Sequence, residues 1–453
     1  MKKTHEHWSS KIGFILATAG AAVGLGSLWK FPYVAGVNGG GAFVLLYILF
    51  TFVIGLPVFI GELIIGRKTQ KSSVLAFAQL RKNGENWRGL GWMNFITTLI
   101  MLSYYSIIAG WVLSYVFMSL NKFSDGKSVE QIQQAFVLLS NSPGISLLWF
   151  GLYLLMNLAI IESGVQKGIE HFSKILMPGL FILLIGLFFY ATTMKGFGQA
   201  VHFILAPKFS ELSSQGVLNA LGMAFFTLSV GLGINITYGS YMDKKENIPN
   251  NSFIITLMTV SVSLIASLVI FPIVFTFGFA PQAGPGLIFQ TIPVVFAQLP
   301  AGVLLSTVFF LLVLFAALTS TIALLEVLVA NVVENFNISR TRASIVLTLI
   351  IFVLGIPSAL SGSGSLFPQW ESIYSKSFFA TVDNICSNWL MPISALFTLL
   401  FIGWFTNKED IKNEFTMGTS LGWIASPWFF MVKFVAPLLV IIIILQEAGL
   451  IKI

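Results

Sequence analysis

Long apolar runs separated by short polar stretches fill this chain almost from end to end. Runs at 11–37, 41–66, 91–120, 144–163, 169–194, 217–241, 251–279, 301–334, 341–359, 379–405 and 427–450 approach or exceed the ~20 residues a helix needs to cross the hydrocarbon core. The pattern predicts an all-α polytopic membrane protein of eleven transmembrane helices, spans 1–11, in a single domain covering 1–453. The tetrapeptide Val-Gly-Leu-Gly occurs twice, at Val23–Gly26 in span 1 and Val230–Gly233 in span 6. Glycine weakens a helix, and lipid offers the freed backbone groups no hydrogen bonds. Such breaks are tolerated only where the loosened amides and carbonyls face protein, a cavity or a ligand.

Spans 1–5 (11–194) and spans 6–10 (217–405) each open with one of these broken helices. Five is an odd number, so the second set must enter the membrane with the opposite polarity. This 5+5 inverted repeat predicts a transporter whose binding sites lie near the midplane, where the two unwound helices meet. Span 11 (427–450) falls outside the repeat and reads as peripheral; the loop 280–300, rich in proline and glycine, reads as a lid.

The chain is 56% hydrophobic and 9% charged, with a net charge of +7. The basic residues do not form a nucleic-acid patch. Lys2, Lys3, Lys11, Arg67, Lys68, Lys71, Arg81, Lys82, Arg88, Lys167, Lys174, Lys244, Lys245, Arg340, Arg342, Lys408 and Lys412 fall on one side, against Lys122, Lys127, Lys195, Lys208, Lys376 and Lys452 on the other. That asymmetry predicts a cytoplasmic N-terminus and an outer C-terminus, with no cleaved signal peptide. Cys386 is the lone cysteine, and His5, His7, His171 and His202 are scattered. A cysteine-rich metal site and the common hydrolase and phosphate-binding motifs are therefore excluded, and the chain does not read as an enzyme.

Several stretches together resemble the neurotransmitter:sodium symporter family in its bacterial branch, over nearly the whole chain. They are Glu6-His7-Trp8 through Ala22–Gly26, Phe31-Pro32, Asn38–Phe43, Phe225–Ser229, Ala317–Ser320, and the pairing of Gly168 with Pro178. Several bacterial members also stop after eleven helices. The resemblance implies a leucine-transporter-like fold and two sodium sites. The second site maps onto the carbonyls of Gly20, Val23 and Ala316 with the hydroxyls of Thr319 and Ser320. The first maps onto Ala22, Ser27, Thr227 and Thr259, with hydroxyls at Ser27 and Thr259 where the family has asparagines. Tyr47, Thr227 and Ser263 match a halide site, but Met223 replaces its usual glutamine.

The resemblance also implies a substrate pocket at Ala22, Gly24, Leu25, Gly26, Met101, Tyr105, Phe226, Thr227, Ser229, Leu232, Ser320 and Leu324. Amine-transporting relatives place an aspartate at the position of Gly24. A bare glycine beside helix N-termini favours a substrate that brings its own carboxylate. The walls are apolar with a few hydroxyls, which suits a neutral, hydrophobic amino acid. Lys30 with Asp383 matches the family's outer gate. Trp8, Tyr241 and Glu334 match the inner one, with His5 in place of an arginine. A neutral imidazole cannot pair with a carboxylate, so this reading expects weaker inner closure at alkaline pH. Glu62 matches a family glutamate facing the break in span 6; Glu326, also in an apolar run, has no assigned role.

These features predict a sodium-coupled amino-acid symporter of the bacterial cytoplasmic membrane, working by alternating access among lipids as a monomer or weak homodimer. The alternatives are a substrate-binding sensor on the same scaffold and a transporter of another small zwitterion.

Overall fold

The computed structural model describes residues 6–81, 84–278 and 286–451. His5, Lys2, Lys3, Lys82 and Lys452, and Pro281, Gly284 and Pro285 of the expected lid, lie outside the described residues. Among those described, the regular structure is entirely helical. We label the principal helices α1 (Lys11–Ala22), α2 (Gly26–Val37), α3 (Gly41–Thr69), α4 (Arg88–Leu120), α5 (Pro143–Glu162) and α6 (Val165–Thr192). They continue with α7 (Ser214–Thr227) and α8 (Ile234–Ser240). The last five are α9 (Ile248–Thr276), α10 (Gly302–Phe336), α11 (Arg340–Ala359), α12 (Phe378–Phe405) and α13 (Gly422–Glu447).

Among the described residues nine of these helices are long and apolar enough to cross a membrane, or ten counting the bent pair α1/α2. The pair α7/α8 occupies the place expected for span 6. Its parts are 14 and 7 residues long, each below a full crossing. The other boundaries follow local chemistry. Ser10 caps α1 by accepting from the Gly13 amide, and Ser339 caps α11 by accepting from Arg342, each satisfying a donor that a helix start leaves open. The Gly168 region of α6 is a wide, π-type turn through Glu170.

Burial sorts the helices into layers. The apolar windows of α4 and α10 are 83% buried, whereas those of α5, α6, α11 and α13 are 33–44% buried. The first pair forms the packed centre, and the second group presents leucine, isoleucine and phenylalanine outward, as with Ile182, Phe189 and Val353. Such faces are costly in water and suited to lipid. The short helix Leu287–Ala297 is tied to α4 by the Tyr115 hydroxyl, which donates to the Phe289 carbonyl at 2.7 Å.

Candidate functional site

The chain leaves helical geometry at Val23–Gly24 and at Leu228–Gly233. At the first break α1 and α2 meet at 50°. At the second, Gly231 and Gly233 take φ of 83° and 74°, a region that disfavours residues with a Cβ. Ser229 is held there too, at φ 52°.

Both breaks are stitched by neighbouring side chains. Buried Glu62 of α3 accepts from the Gly231 amide at 2.8 Å and from the Asn235 side chain at 2.8 Å. This is the contact expected for Glu62. Asn235 also donates to the Leu228 carbonyl, and Thr98 of α4 donates to the Leu232 carbonyl at 2.6 Å. At the first break the Leu25 amide donates to the Tyr105 hydroxyl at 2.7 Å. Ser320 of α10 donates towards the Gly20 and Ala21 carbonyls at 3.1 and 3.2 Å, and Ser229 towards Ala21 at 3.2 Å. Loosened main chain in an apolar interior thus finds its partners in protein.

Between the breaks lies a cavity of about 20 Å³ lined by Ala22, Gly24, Gly26, Met101, Tyr105, Phe226, Ser229, Leu232, Ser320 and Leu324. Ten of the twelve expected pocket residues meet there. Leu25 and Thr227 do not line it. Ala21 and Ile234 do; their places flanking the two breaks are the signal that sequence reasoning overlooked. Among the described residues, no carboxylate or amine side chain is in the lining. A Cβ on Gly24 would sit 2.4 Å from Ser320 Oγ and 2.6 Å from the Tyr105 hydroxyl. The pocket therefore has no room for an acidic side chain at this position.

Four of the five residues expected at the second sodium site, Gly20, Ala316, Thr319 and Ser320, come together where α1 meets α10. Thr319 Oγ1 lies 3.1 Å from the Phe315 and Ala316 carbonyls, and Ser320 Oγ reaches Gly20. A Cβ on Gly20 would stand 2.8 Å from the Thr319 Cβ. A hydroxyl that gives its proton to a carbonyl keeps its lone pairs for a cation. Carbonyls and hydroxyls alone make a hard oxygen set, which fits sodium. At the first site Thr227 donates to the Met223 carbonyl at 2.9 Å and Thr259 to Ile255 at 2.9 Å. The Ser27 hydroxyl is buried with no hydrogen-bond partner among the described residues. An oxygen-ligated cation would satisfy that orphan. The Tyr47 hydroxyl lies 3.2 Å from Thr227 Oγ1 and 3.4 Å from Ser263 Oγ, bringing the expected halide residues together.

On the N-terminal face, the Trp8 amide donates to the Tyr241 carbonyl at 3.1 Å and its indole to the Tyr238 carbonyl at 3.0 Å. Tyr241 donates to Glu326 at 2.7 Å, and Arg340 forks onto both oxygens of Glu326. Glu334 accepts from the Ser72 amide and hydroxyl, at 3.0 and 2.8 Å; its expected partner His5 lies outside the described residues. Tyr241 thus meets Glu326, the residue without an assigned role, whose cation Arg340 was not foreseen. A carboxylate in an apolar run demands a partner, but nothing local names one fourteen positions away. Glu170 adds a further tie, accepting from the Ser9 amide and the Ser9 and Ser10 hydroxyls at 2.6–2.8 Å. On the opposite face Lys30 lies 3.5 Å from Asp383, and its ammonium sits 4.4 Å from the Phe226 ring centroid. Tyr104 donates to Asp383 at 2.9 Å, a role that sequence reasoning did not give it.

The sequence matches the Sodium:neurotransmitter symporter family over residues 5–135 and 127–452. The chain belongs to that family. Membership makes this symporter a sodium-dependent, multi-pass membrane transporter and not an enzyme. It is 40% identical to a sodium-dependent transporter of Bacillus subtilis (strain 168), over 98% of each chain. It is 26% identical to the human sodium- and chloride-dependent taurine transporter, over 93% of this chain and 74% of the relative. The symporter also matches the crystal structure of MhsT in complex with L-phenylalanine, with a TM-score of 0.90 and 37% identity over 98% of this chain and 99% of that one.

Proposed function

We propose that this symporter couples sodium entry to uptake of a neutral, hydrophobic amino acid by alternating access. The observation that carries the reading is the uncharged cavity between two facing helix breaks. One end of such a cavity offers loosened amides and the Tyr105 hydroxyl to a substrate carboxylate. The other offers Met101, Leu232 and Leu324 to an apolar side chain. The fit of MhsT, which binds L-phenylalanine, supports the same substrate class.

In this reading α1/α2 and α7/α8 are each one span, giving eleven, with 11–194 and 217–405 as inverted repeats. The bias of basic residues places the Trp8 face in the cytoplasm, the Lys30 face and the C-terminus outside, and the protein in the cytoplasmic membrane. Gly20, Val23, Ala316, Thr319 and Ser320 would hold one sodium ion. Ala22, Ser27, Thr227 and Thr259 would hold a second. Tyr47, Thr227 and Ser263 supply hydroxyls for chloride. Sodium bound between α1 and α10 would fasten the first broken helix to the packed centre. Lys30–Asp383 would close the site from outside, and Trp8, Tyr241 and Glu334, joined by Glu326 and Arg340, from inside.

Proteoliposomes with an inward sodium gradient test the reading. Labelled neutral amino acids should accumulate, and external unlabelled substrate should drive counterflow only with sodium. Uptake that persists in choline, or binding without counterflow, would overturn it; the latter result would favour a sensor. With labelled sodium, Thr319→Ala and Thr227→Ala should each remove one of two bound ions.

A further inference from the structure

The outer ends of α2, α7, α12 and α13 surround a cavity of about 190 Å³ that contains Lys30 and Phe226 at its base. Residues Gln446 and Glu447, from the last turn of α13, stand on its wall. The sequence gives this helix no part in transport, since it lies outside the repeat.

One turn of α12 is gripped from two sides. Asp383 and Ser387, at i and i+4, share a face and reach the Lys30 ammonium at 3.5 and 3.2 Å. Asn384 and Asn388 form the neighbouring i, i+4 pair. Both donate to one oxygen of Glu447, at 3.5 and 3.0 Å. Glu447 is thus the hub of a second contact on the turn that carries the outer gate. The adjoining residue continues the grip across the cavity. Gln446 donates to Gln215 at 3.0 Å, Gln215 to Asn219 at 3.2 Å, and Asn219 to Asn38 at 3.3 Å. Asn38 in turn donates to the Val34 carbonyl of α2 at 2.7 Å. A continuous polar chain therefore runs from α13 over α7 to α2, while Glu447 anchors α13 to α12.

We propose that Glu447, with Gln446, is a positioning latch of the outer gate: the last helix joins α12 to α7 and α2 when the outer pathway closes. The inference rests on the alternating-access reading. Lys30 joins α2 to α12 through part-exposed contacts with Asp383 and Ser387. The α13 chain spans the same gap by hydrogen bonds at the cavity mouth.

Gly222 lines this cavity, and a Cβ there meets nothing within 4 Å, so it accepts a reporter cysteine. In full-length protein carrying Cys386→Ala and Gly222→Cys, a membrane-impermeant thiol reagent reads outer opening on whole cells. The reporter protein should label at different rates in sodium and in sodium plus a transported amino acid. Adding Glu447→Ala should raise the rate in the closed condition about fivefold, as losing a hydrogen-bonded tie shifts the population. Glu447→Gln, whose amide oxygen still accepts from Asn384 and Asn388, should restore the slow rate. If labelling of the reporter protein ignores sodium and substrate, alternating access fails and the latch with it. If it responds, but Glu447→Ala labels like its parent or Glu447→Gln labels like Glu447→Ala, the latch alone is overturned.

Discussion

The two closures above and below the cavity are built from different materials. On the Trp8 face, Glu326 is fully buried and meets Arg340, itself 19% exposed, through a forked contact that Tyr241 completes. On the Lys30 face, an ammonium stands 3.5 Å from Asp383 and 3.2 Å from Ser387, with 27% and 35% of the Lys30 and Asp383 side chains exposed. Removing one partner of a buried ion pair leaves an uncompensated charge and costs about 3–5 kcal/mol. A half-exposed pair is worth about 0–1 kcal/mol. The difference teaches that the ion pair on one face is buried and costly to break, whereas the one on the other face is part-exposed and depends on the hydrogen bonds around it. A transporter so built would release its outer side through exposed hydrogen bonds that yield one at a time, and its inner side only when a buried ion pair gives way.

Arg340→Ala should break that asymmetry most severely. It strands Glu326 in an apolar interior, so the melting temperature of the purified protein should fall by several degrees and sodium-driven uptake should collapse. Adding Glu326→Gln should recover part of the loss, because a neutral amide is cheaper to bury than an unpaired carboxylate. If Arg340→Ala melts with its parent, the Trp8 face is not the stronger closure. Next in size is Tyr241→Phe, which deletes one hydrogen bond to a charged acceptor, worth about 1.5–3 kcal/mol. Uptake should drop about tenfold while the fold survives, as judged by the same melt. Lys30→Ala should change uptake less than about fivefold. Lys30→Arg, which restores a planar fork, should slow labelling of an outer reporter cysteine. A Lys30→Ala effect larger than that of Tyr241→Phe would reverse the ranking of the two faces. The smallest effect is ionic. Raising choline chloride from about 0.1 to 1 M shortens the screening length from about 10 to 3 Å. It should speed labelling of the outer reporter slightly and leave an inner one unchanged.

What was legible in the sequence divides along physical lines. The breaks could be read because glycine in lipid is a local anomaly, and the structure places both where Val-Gly-Leu-Gly stands. The cavity walls rested on the family resemblance, which alone named Met101, Tyr105, Ser320 and Leu324 on helices away from the breaks. Leu25 shows the limit: adjacent to Gly24 and Gly26, it turns its amide to Tyr105 and leaves the lining. The inner network was not legible. Glu326 and Arg340 are on separate helices joined by a turn, and only packing decides that they meet. Tyr104 was obscured by its neighbour; two adjacent tyrosines on a helix point to different faces, and sequence alone gave a role only to Tyr105. Span 6 shows both signals at once. Its hydropathy is continuous, but the left-handed residues from Ser229 to Gly233 divide it into pieces too short to cross alone.

Glu62 carries a consequence for how tightly anything can be held in the cavity. By accepting from Gly231 and Asn235 it fixes the irregular stretch to the flank of α3, so the bend exists as part of the native scaffold. An incoming molecule then meets a rigid cradle whose disorder was removed during folding, and its own contacts are free to become affinity. Replacing this one carboxylate would hand that ordering cost to the guest.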